Sequence, residues 1–250
     1  MCFGRILPAD KVVAIPKQRA LVDPPCLPGP TITTYLLEPT RLHRPVPAIE
    51  PPTSQADAEP PMPDALALLK TRRSVNLGDL IGPGPSAAEI ETILTIAARV
   101  PDHGKLAPWR FIVFEGDARL KAGEAIASAF RADHPQAKPE FVDVERTRLA
   151  HAPLVIAVVS RAGPHVKIPE WEQVLSAGAA AMNLVVAAHA LGYAAKWITE
   201  WYAYDRRVLD ALGLASHERI VGFIHIGRPA QPPEDRARPA LRELVTRYKA

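Results

Sequence analysis

From residue 64 onward, apolar positions recur with two different periods, which predicts helices alternating with strands. A first helix is expected over residues 64–73, and the capping-box pattern Ser86-Ala-Ala-Glu89 opens a second helix that must end before Pro101. Further helices are predicted over residues 117–132, 139–150 and 205–212, and strands over residues 109–114, 154–160, 193–198 and 220–226.

Two segments indicate how these elements pack. Leu154–Ser160 is apolar at every position but the last, as expected for a strand covered by helices on both faces. Glu170–Leu191 is a helix that is apolar nearly all round, and its small residues at 177–181 would admit another helix closely. The pattern therefore predicts a sheet sandwiched between helices, with one helix buried in the core or in a subunit interface of a dimer.

The first 61 residues have a different composition. They hold 13 of the 27 prolines, including the pairs Pro24-Pro25, Pro51-Pro52 and Pro60-Pro61. We expect residues 1–61 to be a proline-rich, mostly disordered extension, in which Thr31–Leu37 could form one edge strand, and residues 62–250 to be the folded domain. Met62 lies where the ordered pattern begins, so the translated start could have been placed upstream of the real one. A genuine proline-rich tether is the alternative.

Composition excludes several classes of function. Both cysteines, Cys2 and Cys26, lie in the extension, which excludes thiol catalysis, cysteine-ligated zinc and iron–sulfur clusters in the domain. The longest small-apolar run, Ala177–Leu191, is interrupted by Asn183 and His189 and is shorter than the roughly 20 residues that span a bilayer. The net charge is only +3. We therefore expect a cytoplasmic protein with no membrane and no nucleic-acid partner.

Three short segments are candidates for chemistry. Arg72-Arg73-Ser74-Val75-Asn76 places two guanidiniums and a hydroxyl at a helix end, which suits a phosphate; a solvated basic helix end is the alternative. The loop Arg99–Arg110 holds a polar, glycine-containing turn between two prolines, and a solvated turn is its alternative. In Ala195–Trp201, Trp197 and Trp201 could flank a planar ligand or simply fill the core.

The remaining histidines do not suggest ligands. His225 and His189 are expected to be packed residues, and a backbone carbonyl could satisfy His189. His151, His165 and His217 lack metal-ligand spacing, so we predict no metal site.

Taken in order, four groups of residues resemble the small nitroreductase family, most closely its minimal bacterial branch. The groups are Arg72-Arg73-Ser74, then Pro101–Lys105 with Pro108-Trp109, then Trp171-Glu172-Gln173 with Ser176-Ala177-Gly178, and finally Ile220–Phe223 with Gly227-Arg228-Pro229. The resemblance covers residues 62–250 and none of 1–61. It implies an α+β fold, a three-layer α/β/α sandwich of nitroreductase type, forming an intertwined homodimer with FMN at the interface.

The same resemblance implies roles for individual residues. Arg72, Arg73 and Ser74, with Asn76 nearby, would hold the FMN phosphate and ribityl chain, and Arg228 would be a second phosphate partner. A loop bearing Arg99, Pro101, Asp102, His103 and Lys105 would come from the other subunit and line the isoalloxazine, along which Trp197, Ile198 and Thr199 would lie. Asp102-His103 stands where many members carry paired serines, so substrate preference does not carry over from those members.

The expected function is an FMN-dependent oxidoreductase that uses NADH or NADPH to reduce nitroaromatic, quinone-like or other conjugated acceptors by a ping-pong mechanism. FMN is favoured over FAD because no Gly-x-Gly-x-x-Gly fingerprint is present. No catalytic residue is required, because the flavin carries the chemistry. One alternative is a flavin-binding module or a dedicated flavin oxidase or dehydrogenase with incidental nitro reduction. Another is a non-catalytic interaction protein acting through its proline-rich N-terminus.

Overall fold

A computed structural model of the chain describes residues 64–249. The expectations for residues 1–61, including the edge strand at Thr31–Leu37, lie outside the described residues. The elements are α1 (Ala65–Thr71), β1 (Leu80–Ile81), α2 (Ala87–Ala97), β2 (Trp109–Glu115), α3 (Ala118–Asp133), α4 (Pro139–Arg146), β3 (Leu154–Ser160), α5 (Glu170–Ala190), β4 (Ala194–Ile198), α6 (Arg206–Ala211), β5 (Arg219–Pro229) and α7 (Leu241–Leu244).

The five strands form one antiparallel sheet centred on β5. β5 pairs with β3, which pairs in turn with β2, and it also pairs with β4 and with β1. Eleven residues make β5 long enough for partners at different positions, so that β4 meets Phe223–Gly227 and β1 meets Arg228 and Pro229. This length places the end of β5, with Arg228, beside β1 at a margin of the sheet.

Both faces of the sheet are covered by helices. Every residue of β3 is buried. Leu154, Ile156 and Val158 pack in one cluster with α2 and α5, whereas the alternating residues Val155 and Val159 pack in another with α3 and α6. The predicted α+β sandwich of three layers is therefore confirmed.

Helix α2 begins where its capping box was predicted. Ser86 Oγ accepts a hydrogen bond from the backbone N–H of Glu89, and the Glu89 carboxylate accepts one from the Ser86 backbone N–H at 2.7 Å. The buried residues Ile90, Ile93 and Ala97 then pack in the cluster shared with α5.

Helix α5 has one buried face and one exposed apolar face. Ala177, Ala181 and Leu184 are fully buried in the core, while Trp171 and Leu175 are 68% and 53% exposed. The helix is long and apolar enough to cross a membrane, but half of its most apolar stretch is buried within the described structure. A core helix of a soluble protein has the same properties, so this is weak evidence for a membrane.

The sequence misplaced two boundaries and missed two short elements. The strand predicted over residues 220–226 continues to Pro229, and its last residues pair with β1. The helix predicted over residues 139–150 ends at Arg146; Thr147 is its C-cap, and irregular turns follow. β1 and α7, two and four residues long, are too short to carry a periodic signal.

Candidate active site

Three arginines converge near the end of α1. Arg72 caps the helix, and its backbone N–H donates to Leu68 O at 2.8 Å. The pKa of Arg72 is lowered, first by burial and then by the neighbouring charges of Arg238 and Arg73. Arg73 Nε is buried and has no hydrogen-bond partner among residues 64–249. We call Arg72, Arg73 and Arg238 the arginine cluster; Arg238 is paired with Asp235 at 3.3 Å, whereas Arg72 and Arg73 have no carboxylate partner within residues 64–249.

Helix α5 fixes the backbone of this cluster. His189 Nε2 lies 3.1 Å from the carbonyl oxygen of Arg73, and His189 Nδ1 lies 2.8 Å from that of Val185. The predicted contact of His189 with backbone carbonyls is thus confirmed. Ser74 is half-buried and accepts a hydrogen bond from Arg73 on its carbonyl, while Asn76 is exposed at the start of a 3₁₀ turn.

Arg228 lies exposed beside the ring of Tyr193. Its Cζ is 4.8 Å from the ring centroid, a cation–π distance. The Tyr193 hydroxyl donates to Glu89 at 3.1 Å, and burial followed by this hydrogen bond raises the pKa of Tyr193. The Glu89 carboxylate therefore caps α2 and also accepts a hydrogen bond from Tyr193, whose ring contacts Arg228.

The segment 101–108, here called the Asp-His loop, is held by its own aspartate. The Asp102 carboxylate accepts hydrogen bonds from the backbone N–H groups of Leu106 at 3.0 Å and Ala107 at 2.9 Å. Gly104 has φ +73°, and a Cβ there would lie 2.3 Å from Ile168 Cδ1, so the position favours glycine. Asp102 thus shapes the loop, a role that sequence reasoning did not assign to it.

Helix α5 anchors the Asp-His loop at several points. Ser176 Oγ donates to the carbonyl of Pro101 at 2.6 Å and accepts from Trp109 Nε1 at 3.1 Å. Asn183 donates to the carbonyl of Arg99 at 2.9 Å. The side chains of Arg99 and Lys105 are exposed, so both are available to a ligand at the surface of the loop.

His103 forms a hydrogen-bond contact with a carboxylate that the sequence did not reveal. Its Nδ1 lies 2.7 Å from Glu172 Oε2, with the two side chains 62% and 45% exposed. The residues are 69 positions apart, so no local motif could have joined them. The loop thus presents an imidazole that is oriented from α5 and open to solvent.

The third candidate segment lies at the end of β4. Trp197 Nε1 donates to the carbonyl of Val221 at 3.1 Å, and the ring lies directly over Gly222, where a Cβ would come within 2.1 Å of Nε1. Ile198 is half-buried and Thr199 is exposed. Trp197 stays partly exposed against the sheet, so it is an available flank for a planar ligand.

Within one chain, the structure does not bring all the predicted residues together. The arginine cluster contacts α5 at His189, whereas the Asp-His loop contacts it at Glu172 and Ser176. Thirteen residues of helix between Ser176 and His189 correspond to about 20 Å. The arginine cluster and the Asp-His loop therefore lie towards opposite ends of α5.

An open recess of about 200 Å³ adjoins the Asp-His loop. It is lined by Leu106–Pro108 together with Arg161, His165 and Gln173. Among residues 64–249, no group of three or more histidine, cysteine, aspartate or glutamate side chains is arranged to hold a metal ion.

The chain is similar to proteins of one family. The nitroreductase family model matches residues 70–228. The Haemophilus influenzae protein named "Putative NAD(P)H nitroreductase" is 37% identical over 177 residues, covering 70% of this chain and 94% of that protein. "Putative NAD(P)H nitroreductase YdjA" of Escherichia coli K12 is 35% identical over 166 residues, covering 66% and 88%.

Solved structures show the same fold. A nitroreductase-like family protein from Bacillus cereus superimposes with a TM-score of 0.66 at 23% identity, covering 77% of this chain and all of that one. A Desulfovibrio desulfuricans structure, described as "a putative nitroreductase in complex with fmn", superimposes with a TM-score of 0.57 at 26% identity, covering 77% and 99%.

Proposed function

The chain belongs to the nitroreductase family, and on that premise we propose that it is an FMN-dependent oxidoreductase. It uses NADH or NADPH to reduce nitroaromatic, quinone-like or other conjugated acceptors in a ping-pong cycle. Two relatives named as NAD(P)H nitroreductases and a structural neighbour in complex with FMN support this extension.

The observation that carries the proposal is the pair Arg72 and Arg73, which has no carboxylate partner within residues 64–249. Arg73 Nε is buried without a hydrogen-bond partner among these residues, and burial, followed by the like charges of Arg238 and Arg73, lowers the pKa of Arg72. A phosphate dianion would supply both the missing acceptor and the missing charge, because guanidinium and phosphate form paired charge-assisted hydrogen bonds. Arg228, which is fixed on Tyr193, would add a further donor from the end of β5.

The remaining candidate residues would surround the flavin ring. Trp197, braced on Gly222, would flank its plane, and Ile198 and Thr199 would continue along its edge. The Asp-His loop would close the other side and exclude water, since it is anchored to α5 by Ser176. Bound FMN supplies the two-electron chemistry.

A homodimer would complete each site. About 20 Å of α5 separates the arginine cluster from the Asp-His loop in one chain, so a second copy would bring its loop to the first copy's cluster. The exposed apolar face of α5, with Trp171, Leu175 and Met182, offers a surface for that second copy. The C-terminal arm offers more, because Leu241 and Tyr248 are exposed in the single chain.

The first experiment is an absorbance spectrum of the purified protein, followed by anaerobic addition of NADH or NADPH. We expect flavin bands that bleach on addition. Flavin that stays oxidised would favour a flavin module or a dedicated oxidase, and a protein that cannot be reconstituted with FMN would contradict the proposal.

A matched pair of variants tests whether the arginine cluster binds FMN. Arg73→Gln should weaken FMN binding at least tenfold, because a charge-assisted contact contributes roughly 1.5–3 kcal/mol. Arg131→Gln, at an exposed arginine near the end of α3, should leave the affinity unchanged. Equal FMN dissociation constants for the two variants, measured by flavin fluorescence, would remove the arginine cluster from the site.

A further inference from the structure

We propose that His103 donates a proton to the acceptor during its reduction, and that Glu172 is the positioning residue that holds the imidazole for this step. The inference rests on the proposed function and deepens it, by assigning a catalytic residue where none was expected from the sequence. It concerns oxygen-containing acceptors, above all nitro groups, whose reduction consumes a proton.

The contact with Glu172 defines which ring nitrogen of His103 is not engaged by the carboxylate. A carboxylate oxygen can only accept a hydrogen bond, so the 2.7 Å contact requires the proton on His103 Nδ1. Nε2 is then the nitrogen left for a ligand, and the 62% exposure of the side chain makes it accessible. The arrangement matches that of a histidine oriented by a carboxylate for proton transfer through its other nitrogen.

Hydrogen bonds hold the backbone of the loop that carries His103 in one conformation. Asp102 binds two backbone N–H groups of the same loop, and Ser176 binds the carbonyl of Pro101. Lys105 and Ala107 have φ of 55° and 45°, a left-handed conformation that non-glycine residues rarely adopt. Such strain persists only where surrounding contacts enforce it, and it concentrates at functional sites.

The chemistry needs a proton that NAD(P)H does not supply. Converting a nitro group to a nitroso group breaks one N–O bond and releases that oxygen as water. NAD(P)H contributes two electrons and one hydrogen as a hydride equivalent, and that hydrogen ends in one O–H bond of the water. The second hydrogen is a proton from the imidazolium form of His103, which carries a hydrogen on each ring nitrogen. Its Nε2–H bond breaks, the other O–H bond forms on the departing oxygen, and the neutral imidazole, which keeps its Nδ1–H, is reprotonated from water.

Separating the two half-reactions tests the assignment. In anaerobic stopped-flow experiments on the full chain with FMN, the rate of reduction of His103→Gln by NAD(P)H is the internal reference, so that any change in flavin binding is seen in both half-reactions. The reoxidation of this variant by nitrofurazone should slow about 100-fold or more, the usual contribution of a general acid. His134→Gln, at an exposed histidine ending α3, should match wild type in both steps.

A spectroscopic readout tests the role of Glu172 without turnover. Long-range ¹H–¹⁵N spectra of the labelled protein are recorded at high pH, and the His103 resonances are identified as those that are lost in His103→Gln. We expect these resonances to have the shifts of the Nδ1–H tautomer. Glu172→Gln should shift that population towards the Nε2–H tautomer and slow reoxidation while preserving bound FMN. A purely structural glutamate would not change the tautomer.

The outcomes distinguish failure of the proton-donor assignment from failure of the proposed function. Normal reoxidation of a flavin-loaded His103→Gln protein, or an Nε2–H tautomer in wild type, would overturn the proton-donor assignment while leaving the proposed function intact. A wild-type protein that neither binds FMN nor is reduced by NAD(P)H would overturn the proposed function, and this inference with it.

Discussion

His225 is a fully buried histidine whose two ring nitrogens have no hydrogen-bond partner among the described residues. It lies in β5 opposite Val155 and Lys196. Burial, followed by the nearby charges of His151 and Lys196, lowers its pKa to about 3. The side chain was predicted to be packed, and this is confirmed, but packing leaves it neutral and unsatisfied.

Replacing His225 with leucine should therefore stabilise the domain. An unpaired buried polar group costs about 1–3 kcal/mol, so His225→Leu should raise the melting temperature by a few degrees at pH 8. His134→Leu, at an exposed position, is the control. A lower melting temperature for His225→Leu would mean that the ring is satisfied by a water or another partner.

The same variant should change the pH dependence of stability. The unfolded chain binds a proton at His225 below about pH 6.5, whereas the folded chain does not until about pH 3. Wild-type stability is therefore lost as the pH falls from 6.5 towards 3, at up to about 1.4 kcal/mol per pH unit. The stability gap between variant and wild type should widen by about 2 kcal/mol between pH 8 and pH 5 in urea titrations.

The sequence predicted those candidate site residues that are adjacent in the chain. Arg72 and Arg73 are adjacent, so their joint charge is visible in the sequence, and the structure adds an unpaired Nε. Arg238 could not be placed, because it lies in a proline-rich tail far along the chain. Glu172 belonged to the motif, but its contact with His103 depends on how α5 packs beside the Asp-His loop.

At the level of elements, local sequence signals were sufficient to predict most of the helix and strand boundaries. The capping box of α2 and the fully apolar β3 act within a few residues, and both elements begin where predicted. The end of α4 could not be predicted as well, because the backbone of Arg146 packs closely against Gly123 of α3, a contact that no local signal reveals.

The contact between α3 and α4 depends on Gly123. A Cβ at this position would lie 1.8 Å from the backbone oxygen of Arg146, and two helix backbones cannot separate without disturbing the core. Gly123→Ala should lower the free energy of unfolding by about 2–3 kcal/mol or more, although alanine favours a helix. Ser128→Ala, exposed on the same helix, should change it by only a few tenths of a kcal/mol. Equal stability in urea titrations would contradict this close approach.

At the scale of the whole molecule, the alternation of covered strands and apolar helices was enough to predict the sandwich. The over-apolar α5 was expected in a core or an interface, and the structure confirms the core for one face: Leu184 is buried, while Leu175 remains exposed. In the proposed dimer, the copy that supplies the Asp-His loop could not be predicted from the pattern of one chain, because it depends on association between molecules.

Charging the exposed face of α5 tests the dimer. Leu175→Glu should shift the protein to monomers in sedimentation experiments and release FMN, because each site would lose its second chain. Leu120→Glu, on α3 and similarly exposed, should remain dimeric. A monomeric wild type that still binds FMN would contradict the shared site.

The separation of the two residue groups along α5 has a genetic consequence for the proposed dimer. A chain damaged in the arginine cluster and a chain damaged in the Asp-His loop would each form only inactive assemblies alone. In a mixed pair, one of the two sites would receive both damaged parts and the other would receive neither. Two defective alleles would thus complement each other and restore activity, although no single polypeptide in the cell is intact.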